Sequence, residues 1–129
     1  MTLNLVWATI AGAVLGGLAD WLFAGVLAHR YYDAHPEVWR QGGERSRILL
    51  GQALALVTAA GFVGLAWKMH QTDARGALKL AAMVWLIGPL PLLLGNHLFL
   101  KLDRRVTASH AAGWLAKLLL IGAATAWLL

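Results

Sequence analysis

Five side chains that can carry charge or exchange hydrogen bonds, Asp20, Gln52, Asn96, His97 and Lys117, lie inside stretches that are otherwise almost wholly apolar. A carboxylate, an ammonium, an imidazole and two carboxamides are the groups with which proteins hold an ion, relay a proton or orient a small polar ligand. In apolar surroundings each is costly. An ionised group at mid-membrane costs ~2.5–3.5 kcal/mol on insertion scales, so it must be paired, protonated or hydrated, and it is functional by default. Asp20 and Lys117 have opposite signs, and a contact between them, direct or through water, is the simplest way to keep both. The alternative is that Lys117 snorkels outward along its aliphatic stem while Asp20 bonds a neighbouring helix.

Other chemistries find little support. Nothing resembles a phosphate loop, a Ser/His/Asp triad or a zinc-protease helix. The chain has no cysteine, which removes thiolate ligands and nucleophiles. Asp33, His35 and Glu37 are metal-competent, but their spacing sets no ligand geometry. A haem would need two histidines at equal depth on adjacent helices; His97 is embedded, whereas His29 and His110 are interfacial. No catalytic residue, metal or cofactor is therefore assigned.

The elements that must position the five residues are four apolar runs, Leu3–Leu27, Ile48–Trp67, Leu80–Leu100 and Ala111–Leu129. A hydrocarbon core of ~30 Å needs roughly 20 helical residues, and each run is about that long. Of the 129 residues, 60% are hydrophobic and 13% charged, against about 25% charged in a soluble domain. The reading is an all-α, integral membrane four-helix bundle with short loops, one domain over residues 1–129. The first run is too long for the apolar part of a signal peptide and reads as a retained span.

Loops 1–2 and 3–4 share one side, face A, and carry Arg30, Arg40, Arg45, Arg47, Lys101, Arg104 and Arg105; face B carries Lys68, Arg75 and Lys79. This asymmetry puts face A in the cytoplasm and both termini outside, in a cell membrane. The net charge of +5 thus sits where it meets anionic headgroups, and no nucleic-acid partner is implied. Trp7, Trp67, Trp85 and Trp127 sort toward face B and Trp21, Trp39 and Trp114 toward face A, as two interfacial belts. At 1.5 Å per residue Asp20 lies about 12 Å from face A, Gln52 about 6 Å, Asn96 and His97 about 6–8 Å, and Lys117 about 9–11 Å. All five occupy the face A half.

Helices in lipid associate through small residues that permit close approach. Gly12, Gly16, Asp20 and Ala24 form one ridge on the first run, with Gly51, Ala55 and Ala59 on the second and Ala60 and Gly64 beside them. Gly12, Gly16, Gly51 and Ala55 are the expected packing positions, within the chain, in a homodimer or against partner membrane helices. Gly88-Pro89-Leu90-Pro91 predicts a kink in the third run. In the long first loop Pro36 opens a short helix along the interface, Gly42-Gly43 turns the chain into the second run, and Thr107 and Ser109 are candidate caps for the fourth.

The first span ending Asp20-Trp21-Leu22-Phe23, Trp39 after it, the proline-containing third span followed by Asn96-His97-Leu98-Phe99, and a final span with Gly113 together resemble a bacterial family of small four-helix membrane proteins, the domain of unknown function number 1761. The resemblance covers most of the chain, although the family's usual tyrosine after the first-span tryptophan is missing. It implies the architecture and carries over no catalytic residue.

The expected function is handling of a small ligand, ion or proton at the polar layer. Four spans are few for transport, which points to a dimer. The alternatives are an interaction or assembly subunit, and a membrane-embedded enzyme acting on a hydrophobic substrate with Asp20 or His97 as acid or base.

Overall fold

The computed structural model describes residues 2–129 and is all-helical over them. Helix α1 (Thr2–Asp20) passes into a π-helical segment (Trp21–Leu27) and then a short α2 (His29–Asp33). A 3₁₀ turn (Pro36–Val38) leads to α3 (Glu44–Lys68), then α4 (Ala74–Ile87), α5 (Pro89–Phe99) and α6 (Arg104–Leu128). The segments Thr2–Asp33, Glu44–Lys68, Ala74–Phe99 and Arg104–Leu128 are each long and apolar enough to cross a membrane.

Three of these helices begin several residues before the apolar runs do, because polar residues build their first turns. Asp73 caps α4 by accepting from the Gly76 N–H, and Asp103 caps α6 by accepting from the Arg105 N–H. Thr107 and Ser109, expected to cap the last helix, instead sit within it and reach other helices. Gly42 and Gly43 both take positive φ, +72° and +62°, a conformation that side chains disfavour, and deliver the chain into α3. Pro36 opens the 3₁₀ turn as expected.

The kink separates α4 from α5 at Gly88, whose φ of −113° and ψ of −88° leave the helical region. Its N–H still bonds the Val84 carbonyl at 3.0 Å. Pro89 and Pro91 offer no N–H to the carbonyls of Trp85 and Ile87 one turn back, so the ladder breaks there.

The bundle is organised around α6, which packs against α1, α4 and α5 and to a lesser degree α3. Helix α1 lies between α6 and α3. Ala8, Ala59, Phe62, Val63, Ala66, Leu80, Ala81, Leu118 and Ile121 form the core. Helix α3 and the α4–α5 pair barely touch, which leaves an apolar groove of about 340 Å³ lined by Gly61, Phe62, Val84, Pro89, Trp114 and Leu118.

Small residues set the closest approaches. A Cβ on Gly12 would lie 3.1 Å from Ile121 Cγ2, and one on Gly122 would lie 3.1 Å from the Ala77 carbonyl oxygen. Ala55 and Ala59 are buried as the seam reading requires. Gly51 takes no part in a seam within the chain. It is exposed with nothing within 4 Å of its added Cβ, as are Gly61 and Gly64, because α3 turns that side away from α1 and α6. The tryptophans differ in burial. Trp7, Trp21, Trp39, Trp67 and Trp127 are exposed, whereas Trp85 and Trp114 turn inward. Trp85 has a specific reason: its indole N–H donates to the Ala111 carbonyl at 2.8 Å, tying α4 to α6.

Candidate functional site

Lys117 lies on the side of α6 that faces α1, and Gly16 makes room for it. A Cβ at Gly16 would stand 3.2 Å from Lys117 Cγ and 3.6 Å from Cε, so the aliphatic stem lies along bare backbone. One turn further along α1, the Lys117 ammonium donates to Asp20 Oδ2 at 2.6 Å. The same ammonium lies 4.7 Å from the centroid of the Trp114 ring, whose face is electron-rich. The contact expected from depth and charge is therefore present, and it is direct.

The pair is unequally buried. The Lys117 side chain is 6% exposed and that of Asp20 is 41% exposed. Among the described residues the Lys117 ammonium is the one side-chain hydrogen-bond partner of the Asp20 carboxylate, and it engages Oδ2. The helix opens at the same place. From Trp21 the backbone changes from α to π, and the Ser109 hydroxyl donates to the Phe23 carbonyl at 2.7 Å, adding a donor from α6 to a carbonyl that already accepts from Ala28 N–H. Such π segments recur at functional sites because they re-aim side chains and loosen the backbone ladder.

A second polar contact, made by His110 of α6, lies toward the end of the bundle that holds loops 1–2 and 3–4. The His110 Nε2 shares a hydrogen bond with the Tyr32 hydroxyl at 2.9 Å. Tyr32 in turn lines a cleft of about 420 Å³ at that end with Tyr31, His35, Glu37, Lys101 and Asp103. Trp39 braces this region, its ring 4.9 Å from that of Tyr32 and edge-on to His29 at 5.3 Å.

The five residues selected from the sequence do not form one site. Asp20 and Lys117 meet at the α1–α6 seam. Gln52 reaches α1 from α3, where a Cβ on Gly17 would stand 2.8 Å from its Oε1, yet the residue is largely exposed. His97 is held by Thr107 of α6, with Nδ1 and Oγ1 3.2 Å apart. Asn96, next to it on α5, faces outward and is exposed. The five point in different directions. His110, Tyr32, Trp114 and Ser109 were not selected for the site; His110 was weighed only as a haem ligand, Ser109 as a helix cap and Trp114 as part of an interfacial belt. No group of three or more metal-ligating side chains occurs among the described residues. No protein-family model, curated protein or solved structure matches the chain.

Proposed function

We propose that the chain is a multi-pass membrane protein that handles protons at the Asp20–Lys117 pair, with access from the end carrying loops 1–2 and 3–4. The unequal burial of the pair carries this reading: the ammonium is sealed in the seam while the carboxylate side chain stays partly exposed. A proton fits this position better than a metal ion. At 2.6 Å the ammonium already occupies the cation position on Oδ2, and a proton arriving at Oδ1 neutralises the carboxylate without displacing any side chain. Loss of the carboxylate charge leaves Lys117 unpaired, which couples protonation to the α1–α6 seam. The His110–Tyr32 contact supplies polar groups beside the cleft at the loop end. Seven basic residues on the loops of that end support a cytoplasmic orientation for it.

The test is proton uptake. In proteoliposomes loaded with a pH-sensitive dye, an imposed gradient collapses faster with the wild-type protein than with Asp20→Asn. Identical traces from the two proteins overturn the reading.

A second reading, an assembly subunit, has one observation in its favour. Asn96 is an exposed carboxamide on an apolar helix beside the exposed Leu98 and Phe99. In lipid such a group bonds to a partner helix. Asn96→Leu dissociates a complex under this reading and leaves proton uptake unchanged under the first. The enzyme reading gains nothing from the apolar groove, whose lining includes neither Asp20 nor His97.

A further inference from the structure

The structure assigns a separate site, for the phosphate-bearing head of an anionic phospholipid, to a cleft of about 270 Å³ between the π-helical segment, α2 and the first turns of α6. Its lining divides by chemistry. Arg30 and Arg105 supply two guanidinium groups, Phe23 and Leu27 supply an apolar wall, and Tyr31 and Ser109 complete it.

Neither arginine is neutralised. Ion pairs among the described residues join His29 to Asp33, His35 to Glu37 and Lys117 to Asp20, so the acid nearest Arg30 in sequence is engaged elsewhere. Asp103, the acid nearest Arg105, directs Oδ1 to the Arg105 backbone N–H rather than to its guanidinium. Arg105 is also oriented, with its guanidinium carbon 5.8 Å from the centre of the Tyr31 ring. Two unpaired planar forks at one cleft match the oxygens of a phosphate group, which each can grip with two parallel hydrogen bonds.

The apolar wall decides between a lipid and a free phosphate. Phe23 and Leu27 belong to the apolar first span, and Leu22 and Val26 beside them are exposed on its surface. An acyl chain descending from the head would lie along them, whereas a soluble phosphate would gain nothing there. The Ser109 hydroxyl gives its proton to the Phe23 carbonyl. Its oxygen therefore presents only lone pairs, which suits a hydroxyl-bearing head such as that of phosphatidylglycerol. Basic pockets between helices at the cytoplasmic end of membrane proteins have this chemistry in general.

The test is native mass spectrometry of the full chain in neutral detergent, titrated with phosphatidylglycerol. The wild-type protein is expected to retain one lipid strongly. At about fivefold per arginine, Arg30→Gln with Arg105→Gln weakens retention by about 25-fold. The paired variant Arg75→Gln with Lys79→Gln removes the same charge from the other end and leaves retention intact. Equal losses from the two paired variants, or equal retention of phosphatidylcholine, overturn the site. Displacement of the lipid by an equal concentration of glycerol phosphate overturns the lipid assignment in favour of a soluble phosphate.

Discussion

Phe23 lies directly over the bare backbone of Gly113: a Cβ there would stand 2.7 Å from Phe23 Cβ and 3.2 Å from Cγ. Both atoms sit close to the backbone of the π-helical segment, so no rotamer change relieves the overlap, and that segment and α6 would have to separate just beyond the Asp20–Lys117 pair. Gly17 has a nominally similar conflict, 2.8 Å to Gln52 Oε1. That oxygen, however, is the far end of a flexible, exposed side chain that can swing away.

The two glycines should therefore respond differently to the same change. Gly113→Ala is expected to destabilise by about 1–3 kcal/mol, the usual cost of overpacking, and Gly17→Ala by much less. Thermal unfolding in detergent compares them directly. A Gly17→Ala loss as large as that of Gly113→Ala would show that the α1–α3 seam is as rigid as the α1–α6 seam.

The ion pair should show the asymmetry of its burial. Asp20→Leu strands a buried ammonium and is expected to cost about 3 kcal/mol, the low end for breaking a buried pair, because the carboxylate was partly solvated. Lys117→Met leaves only a half-exposed carboxylate and costs less. Combining the two replaces the pair by apolar side chains and restores stability to wild type or above. A double-mutant cycle on unfolding measures all three. A double variant no better than Asp20→Leu alone would contradict it.

In the first loop the Glu37 carboxyl is held below the usual carboxylate range by a backbone hydrogen bond at Glu37 itself, reinforced by the side chain and charge of His35. The two side chains lie 3.2 Å apart. A depressed pKa means that any contribution to loop order is present above the carboxylate's ordinary value and is lost as pH falls through the lower, folded value. The NMR titration of Glu37 should have its midpoint below that of a free glutamate and move upward in His35→Ala. An unmoved midpoint would assign the whole effect to the backbone.

Much of the architecture was legible because its causes are local. Prolines at 89 and 91 must break a helical ladder wherever they stand. The Gly42-Gly43 pair suits positive φ in any context, and run length against bilayer thickness counts the spans. The Asp20–Lys117 contact was legible for a different reason. Two opposite charges within otherwise apolar helices have few alternatives, and antiparallel succession brings the end of the first apolar segment level with the start of the last.

What the sequence by itself determined was therefore the number of long apolar helical segments, the proline break in the third and one charge pairing. Only the tertiary structure decided direction. These helices are apolar nearly all round, so no polar face marks which side of α5 or α3 turns outward. Asn96 and Gly51 consequently point away from the bundle, while Trp85 turns in to bond Ala111. The choice of α6 as the hub, the π-helical turn after Asp20 and the His110–Tyr32 contact across 78 positions follow from packing volume and backbone satisfaction between helices. Those quantities exist only once the helices are assembled. The pair that opens between α1 and α6 thus had its partners written in the chain, and its half-open carboxylate was set by the fold.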